Sequence, residues 1–400
     1  MIKLYDIAVI GAGASGLAAA IVAKRKKPYL SVALVEALPR AGKKILATGN
    51  GRCNLTNINA TFRDYNEPQF VSAVMGKYPP EYIIDFFENI GLKTFNDSEG
   101  RVYPMSNMAS SVLDCLRFEA ENLDIELICD THVDSIVKKG DTFIINGNIK
   151  AMKVILATGG KASSAQGSDG SGYPILKDFG HKVTPVYPAL VQLTVRENLK
   201  ALKGVRVKAE ALLVSDGIEK ARSSGEILFT DYGLSGIAVM DISRRLYNNK
   251  CQCVLDVLPM MHQCDVFAFL MERKASNKNL STENVLGGLV PKKVGQYALK
   301  TCGIPCDKPA GRISNSEVNK ICDTLKSLSF TVTGTRGFNN AQITVGGAEL
   351  SEFDSTTLES KLVIGLYCTG ELLNVDSICG GYNLQWAWAS GIAAGSAAVK

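Results

Sequence analysis

Tyr5-Asp-Ile-Ala-Val-Ile10 is a short apolar run bounded by glycine, and it predicts a buried strand. Gly11-Ala-Gly13-Ala-Ser-Gly16 follows, and then Leu17-Ala-Ala-Ala-Ile-Val-Ala23, a helix-forming apolar run. Ser31-Val-Ala-Leu-Val35 predicts a second strand, ending at Glu36. Further on, Thr131–Val137 and Thr142–Ile145 alternate as the arms of a hairpin do. Lys153-Val-Ile-Leu-Ala157 reads as a strand running into Thr158-Gly159-Gly160. Near the end of the chain, Lys361–Cys368 predicts a strand and Thr369-Gly370-Glu371 follows it. Gly380-Gly381-Tyr382-Asn383 then opens a helix over Leu384–Val399, rich in alanine and other small residues.

The middle of the chain has a different rhythm. Leu190–Val195, Val205–Val214, Glu226–Phe229 and Cys251–Val257 read as short strands, with Asp216-Gly217 as a hairpin turn. From Met260 to Leu328 the pattern is helical, broken at Pro291, Gly303 and Pro305, and Leu328–Thr333 is again a strand. Ser224-Gly225-Glu226 through Phe229-Thr230, with Gly233-Leu-Ser235-Gly236, fits either a substrate-facing loop or a turn between strand and helix. No internal repeat and no low-complexity linker interrupts the chain.

At 400 residues the chain is longer than one ordinary core organises, so two or three domains are expected. With 46% hydrophobic and 21% charged residues it is globular rather than disordered. The net charge of +5 is mild, and the basic residues are spread out. The one basic run, Lys24-Arg25-Lys26-Lys27, reads as a solvated helix end, so no nucleic-acid partner is expected. No apolar segment reaches the ~20 residues of a membrane span, and the first residues do not read as a signal peptide. A cytoplasmic location without membrane attachment is therefore expected. Eleven cysteines suit a reducing compartment. Their spacings match neither a zinc site nor a redox pair, and the three histidines are widely separated, so no metal centre is expected.

The first β-α-β unit carries the chemistry. Gly11 permits the tight turn, Gly13 lets a pyrophosphate approach the backbone, and Gly16 lets helix and sheet pack closely. The helix start offers free N–H groups and a positive dipole end to phosphates, with Ala14 and Ser15 in its first turn. Glu36 lies twenty residues beyond Gly16, where a carboxylate accepts ribose hydroxyls and repels a 2′-phosphate. This is a dinucleotide site, with Ala37 beside Glu36. The motif alone does not separate FAD from NAD. The segment Arg40–Asn57, with Gly42, Lys43, Lys44, Gly49, Gly51, Arg52, Cys53 and Asn54, is polar, glycine-rich and aperiodic. It reads as an irregular loop with the chemistry for anion and flavin contacts, or else as a plain surface loop.

The GAGASG turn, Glu36, GKKILATGNGRCNLTN, Ala157-Thr158-Gly159-Gly160, Gly370-Glu371 and GGYNLQWAWASG together resemble the HI0933-like flavoprotein family, also labelled BaiN-like or aminoacetone-oxidase-like. The resemblance spans nearly the whole chain. It implies an α/β fold of the two-dinucleotide-binding-domain flavoprotein type. A Rossmann-like FAD-binding domain would be built from both chain ends, residues 1–189 and 336–400. A β-rich insert with a helical extension would occupy 190–335, β-rich over about 190–258 and helical over about 260–327. FAD is the implied cofactor. Its implied contacts are the residues of the first turn with Glu36 and Ala37, then Lys44 and Gly51–Asn54, Val133 through its backbone at the adenine, Ala157–Gly159, Gly370, Glu371, and Gly381, Tyr382, Asn383 and Leu384. The C-terminal helix start would face the flavin and stabilise negative charge on its reduced form. The insert is expected to cover the flavin and shape the substrate pocket.

A second GxGxxG is absent; Gly167-Ser-Asp-Gly170-Ser-Gly172 has the wrong spacing. NADH or NADPH, as transient electron donor, would use a site that the motifs do not reveal. Cys53 stands alone beside Arg52, and structural or cofactor-contact duty is favoured over catalysis. Weak catalytic candidates are Arg101, as a carboxylate binder, and Tyr103 and Tyr382, as proton donors. Three functions compete: an NAD(P)H-linked flavin reductase of a C=C or C=O bond in a small organic substrate, a flavin oxidase of a small amine or amino acid, and a non-catalytic FAD-binding sensor. The first is favoured. Oligomeric state leaves no signal in the pattern.

Overall fold

The computed structural model describes residues 3–247 and 250–400. The chain divides into two compact units: residues up to Pro188 together with Gln342–Lys400, and Ala189–Ala341. The second boundary falls after Ala341 rather than after residue 335. Arg336 N–H donates to Gln192 O at 3.0 Å, which ties the start of that segment to the insert.

The first unit is built on β1 (Leu4–Ile10), α1 (Ala14–Lys26), β2 (Val32–Val35), β3 (Glu126–Ile128), β4 (Ile136–Lys139), β5 (Thr142–Ile145), β6 (Ile149–Leu156), β7 (Leu366–Cys368) and α2 (Tyr382–Ala398). The strand order is β3-β2-β1-β6-β5-β4, and β7 also pairs with β6. β1 runs parallel to both β2 and β6, with Leu4 opposite Lys150 and Ile10 opposite Leu156. The far edge of β6 is shared. Its first half pairs antiparallel with β5, Phe143 opposite Ala151, and its second half pairs parallel with β7, Leu366 opposite Val154. Residues 7–10 and all of β2 are buried, which is why they read as unbroken apolar runs.

α1 and α2 approach closely because α2 presents glycines where they meet. A Cβ on Gly391 would lie 2.2 Å from Ser15 O, and one on Gly395 would lie 2.3 Å from Ala19 O. The chain's C-terminal segment is thereby locked onto its first helix.

Several elements differ from expectation. The strand expected over Lys361–Cys368 is only β7, because Gly365 takes a left-handed φ of 84° and turns the chain there. α2 starts at Tyr382, directly after two left-handed glycines. The first arm of the hairpin begins only at Ile136. The segment Arg40–Asn57 is not an irregular loop: it holds a short helix, Lys43–Ala47, a 3-10 turn, Thr48–Gly51, and a strand, Thr56–Asn57. That strand pairs with Arg101–Pro104, which in turn pairs with Thr94–Asn96. The basic run is not simply solvated: Lys24 is buried and its Nζ donates to Pro28 O at 2.8 Å, and Arg25 Nε pairs with Glu119 at 2.7 Å.

The second unit is a closed antiparallel barrel with its own core. Its strands, in order around the barrel, are Leu193–Val195, Gly233–Ser235, Ile218–Phe229, Arg206–Ser215, Cys251–Asp256 and Leu328–Thr335. Asp216 (φ 52°) and Gly217 (φ 74°) make the tight turn between the two longest strands. Helices Gln263–Ser276, Lys292–Cys302 and Asn315–Lys326 contribute to the same core, the last capped by a Ser314–Glu317 capping box. The 224–236 motif is a strand-to-helix connection: it ends one strand, forms the short strand Gly233–Ser235 and leads into Ile237–Ser243. Gly236 is required there, since a Cβ would lie 2.2 Å from Glu226 O.

Candidate functional site

The carboxyl ends of the parallel strands form one rim. Four backbone bonds carry the ladder just past the strands: Glu36 N–H to Ile128 O (2.8 Å), Gly11 N–H to Val35 O (2.7 Å), Ala157 N–H to Ile10 O (2.8 Å) and Thr369 N–H to Leu156 O (3.0 Å). Gly11, Glu36, Ala157 and Gly370 therefore sit along a single edge although the sequence scatters them. Ligands in open α/β sheets bind at such an edge.

The three motif glycines have distinct environments. Gly11 has φ 100°, and a Cβ there would lie 2.5 Å from Ala157 O. A Cβ on Gly16 would lie 1.9 Å from Gly11 O. A Cβ on Gly13 would meet nothing within 4 Å, so space opens above this residue. α1 starts there with no side-chain cap and no acidic residue in its first turn, leaving its N–H groups directed at an anion. Ala14 is half-buried at this helix start; the Ser15 hydroxyl accepts from Thr369 Oγ1 at 3.1 Å. Glu36 is buried, and its two carboxylate oxygens accept from Ala12 N–H and Leu38 N–H, each at 2.9 Å. Ala37 is exposed beside it. Val133 is buried in the same neighbourhood, where Thr131 N–H donates to Glu36 O at 2.9 Å.

Lys44 reaches from its short helix to the C-terminal segment. Its Nζ lies 2.9 Å from Glu371 Oε2 and 3.2 Å from Ala162 O, and Glu371 Oε1 accepts from Thr344 N–H at 2.6 Å. Gly49, Asn50, Gly51 and Cys53 all have left-handed φ angles. Cys53 is fully buried, and burial pushes its thiol up to about 12. It is a protonated, inert group, in keeping with structural duty.

At the start of α2, Gly381 (φ 101°) presses on the Thr56 carbonyl, where a Cβ would lie 2.5 Å away. Tyr382 O accepts from the Tyr65 hydroxyl at 2.7 Å, and Leu384 is half-buried. The Asn383 side chain does not reach outward: its amide bonds Ser377 N–H, Ser377 O and Ile378 O, and so folds the loop before the helix. Arg101 is likewise committed, to Asp97 and to a close ion pair with Glu99, which removes it as a free carboxylate binder. Tyr103 is buried beneath Arg52, whose guanidinium lies 4.4 Å from the ring centre.

Sequence reasoning passed over the residues that hold this rim together. Trp386 Nε1 donates to Gly370 O at 3.1 Å, and Trp388 Nε1 donates to Leu55 O at 3.0 Å. Ser390 Oγ accepts from Gly370 N–H at 2.9 Å. Gln385 bonds Thr56 Oγ1 at 2.7 Å and Tyr78 O at 2.9 Å. The signal was available: both tryptophans of the chain lie in one small-residue helix, and a buried indole N–H demands an acceptor.

Among the described residues, four buried side-chain oxygens of this unit have no hydrogen-bond partner, Tyr173 Oη, Ser396 Oγ, Asn54 Oδ1 and Thr158 Oγ1, and the last two lie on the Arg40–Asn57 and Ala157–Gly160 segments. Unpaired buried oxygens are rare and costly, and they are satisfied when a ligand brings donors. Together with the open space at Gly13, the uncapped helix and Glu36, those of Asn54 and Thr158 fit a dinucleotide carrying a polar ring system. Gly159 (φ 72°) lies 3.1 Å, by its virtual Cβ, from Ser168 Oγ, in the same rim. Among the described residues no group of three His, Cys, Asp or Glu side chains could hold a metal, and no helix is long and apolar enough to cross a membrane.

Fold and site define a Rossmann-type flavoprotein that binds FAD. The chain belongs to the HI0933-like family: the model of the HI0933-like protein Rossmann domain matches residues 5–397. It is 39% identical to a 3-dehydro-bile acid delta(4,6)-reductase of Clostridium scindens, over 98% of this chain and 99% of that one. It is 30% identical to a ribosomal RNA dihydrouridine synthase of Escherichia coli, over 96% of each chain. Among solved structures, a 3-ketosteroid delta1-dehydrogenase from Sterolibacterium denitrificans shares the fold, with a TM-score of 0.51 at 13% identity over 99% of each chain. A flavocytochrome c3 fumarate reductase also matches, with a TM-score of 0.51 at 14% identity over 99% of this chain and 78% of that one. The protein is an FAD-dependent oxidoreductase.

Proposed function

We propose that this oxidoreductase adds hydrogen across a carbon–carbon double bond conjugated to a carbonyl, in a small organic molecule, with NADH or NADPH as electron donor. The observation that carries this reading is the end-to-end similarity to a delta(4,6)-reductase, at 39% identity over 98% of the chain. The second relative, a dihydrouridine synthase, is named for a product with two added hydrogens, so the two names share a reaction type. Both substrates are conjugated to carbonyls, which makes their double bonds electrophilic toward hydride.

FAD, when bound, supplies the hydride chemistry. The chain supplies binding and orientation. The uncapped start of α1 above Gly13 would hold the pyrophosphate, and Glu36, fixed by two backbone N–H groups, would take ribose hydroxyls. Asn54, Thr158 and the Gly380-Gly381 turn would meet the ring system. The Lys44–Glu371 pair, the indole bond to Gly370 and the Ser390 bond hold that rim in place. Eleven free cysteines support a reducing, cytoplasmic setting.

The test is anaerobic rapid mixing of the FAD-loaded protein with NADH, NADPH and aminoacetone in separate experiments, followed by addition of an enone. Loss of the visible flavin absorbance with a nicotinamide, and its recovery on adding cyclohexenone or a steroid enone, is the expected result. Bleaching by the amine alone would replace this reading with an oxidase.

A further inference from the structure

The geometry points to Arg52 as the group that receives the substrate's carbonyl oxygen, so that the site selects planar, carbonyl-conjugated alkenes. This rests on the double-bond reduction proposed above and assigns its polarising residue.

Arg52 leaves a turn that is rigid for its length. Gly49, Asn50 and Gly51 are left-handed in succession, with φ 55°, 55° and 83°, and Cys53 follows at 56°. The turn closes on itself through Arg52 N–H to Gly49 O (3.2 Å) and Cys53 N–H to Thr48 O (3.0 Å). Two non-glycine residues held left-handed mark strain, which accumulates where a side chain must be aimed. The Arg52 side chain is exposed but not loose. Its guanidinium lies 4.4 Å from the Tyr103 ring centre, and Nη2 is 3.4 Å from the Tyr103 hydroxyl. Tyr103 is only 3% exposed and is backed by Phe95, centroid to centroid 5.9 Å.

Arg52 has no carboxylate partner among the described residues; its side-chain contacts are with Tyr103. The contrast is Arg101 on the neighbouring strand, neutralised by Asp97 and Glu99. A cation without a carboxylate partner, stacked on a buried ring, therefore stands two residues before Asn54. A Cβ on Gly49 would lie 3.6 Å from Tyr103 and 2.8 Å from Asn54 N, and the orphan Asn54 Oδ1 lies 2.9 Å from the Gly381 Cβ position.

The chemistry asks for such a group. Hydride added to the far carbon of the conjugated double bond, with its two electrons from the reduced cofactor of the proposed reaction, moves the π pair onto the carbonyl oxygen. The enolate then takes one proton from solvent at the near carbon, so one C=C π bond is lost and two C–H bonds are formed. Negative charge peaks on the oxygen. A guanidinium stays charged at every working pH and offers N–H donors in a fixed plane. Held in place before reaction, it stabilises the oxyanion without reorganising. Tyr103 is the positioning residue that sets its plane.

The test compares wild type with Arg52→Met and Arg52→Lys, each loaded with FAD and reduced anaerobically. Reoxidation is followed with cyclohexenone and, separately, with ferricyanide, which needs no carbonyl contact. The ratio of the enone rate to the ferricyanide rate should fall about 100-fold in Arg52→Met, the typical effect of losing one oxyanion donor, and less in Arg52→Lys. A second readout needs no turnover: para-chlorophenolate, an enolate mimic, should perturb the oxidised flavin spectrum and bind about tenfold more weakly to Arg52→Met. If wild type is reoxidised by cyclohexenone and Arg52→Met keeps both the same rate ratio and the same phenolate affinity, Arg52 is not the polarising group and the reduction reading stands. If cyclohexenone and a steroid enone both fail to reoxidise wild type, the reduction reading fails and the assignment to Arg52 falls with it.

Discussion

Cys53 sits next to Arg52, and a basic neighbour is the usual reason to suspect a reactive thiol. Burial opposes that influence. The side chain is fully enclosed in a left-handed turn and its thiol is raised to about 12, so the neutral form persists through the working range. Iodoacetamide should leave Cys53 unmodified in the native protein at about pH 9, while exposed Cys264 is labelled, and denaturant should remove the difference. Peptide mass spectrometry reads both sites. The sign is clear: the folded pKa lies above the unfolded one, so the reactive thiolate appears only near pH 12 or on unfolding. Residues whose role is set by backbone need were legible in sequence. Gly11 and Gly16 are required because a Cβ would strike Ala157 O and Gly11 O, and a motif encodes that need locally. The partners that engage the Arg101 and Asn383 side chains, Glu99 and Ser377, were not legible, since spacing does not single them out.

At the scale of elements, the pairing of α1 with α2 governs the site. Ser15 and Ala19 lie where Gly391 and Gly395 leave room, and Ser15 in turn touches Thr369 and the Gly370 position. Gly391→Leu should force these helices apart. Overpacking of this kind costs about 1–3 kcal/mol. Thermal unfolding should show a lowered midpoint, and ultrafiltration should release more FAD from the variant than from wild type. An unchanged midpoint with full flavin retention would mean that the helix contact is looser than the geometry indicates. The same scale shows where periodicity fails. Arg40–Asn57 carries a helix, a 3-10 turn and a strand, each too short to establish a period. Its order comes from partners elsewhere: Thr56 on Gln385, Leu55 on Trp388, Lys44 on Glu371.

At the scale of the whole molecule, each of the two units has a separate apolar core. Residues 189–341 form a closed barrel with no open sheet edge in that barrel, and their helices belong to the same core. Expressed alone, this segment should fold, unfold cooperatively and bind no FAD; circular dichroism melts and flavin absorbance check it. A chain cut after residue 188 should instead lose the flavin site. It would lack β7, Gly370, Glu371 and all of α2, and so the acceptors for Lys44 and the indoles that pin the rim. Recovery of FAD binding by that fragment alone would show that the N-terminal β-α-β unit suffices.

Sequence by itself determined the β-α-β unit, its glycine turn, the acid at Glu36, the small-residue C-terminal helix, the β-rich middle and the family. Each of these rests on a local period, on a backbone conformation only glycine adopts easily, or on a motif with its own spacing. Tertiary structure decided the remainder: which end of each strand joins the rim, which basic groups are neutralised, which thiol is silenced, and which oxygens are left without partners. Those properties depend on what lies opposite a residue in space. Lys44 meets Glu371 and Leu55 meets Trp388 across most of the chain's length, and no local pattern encodes such encounters.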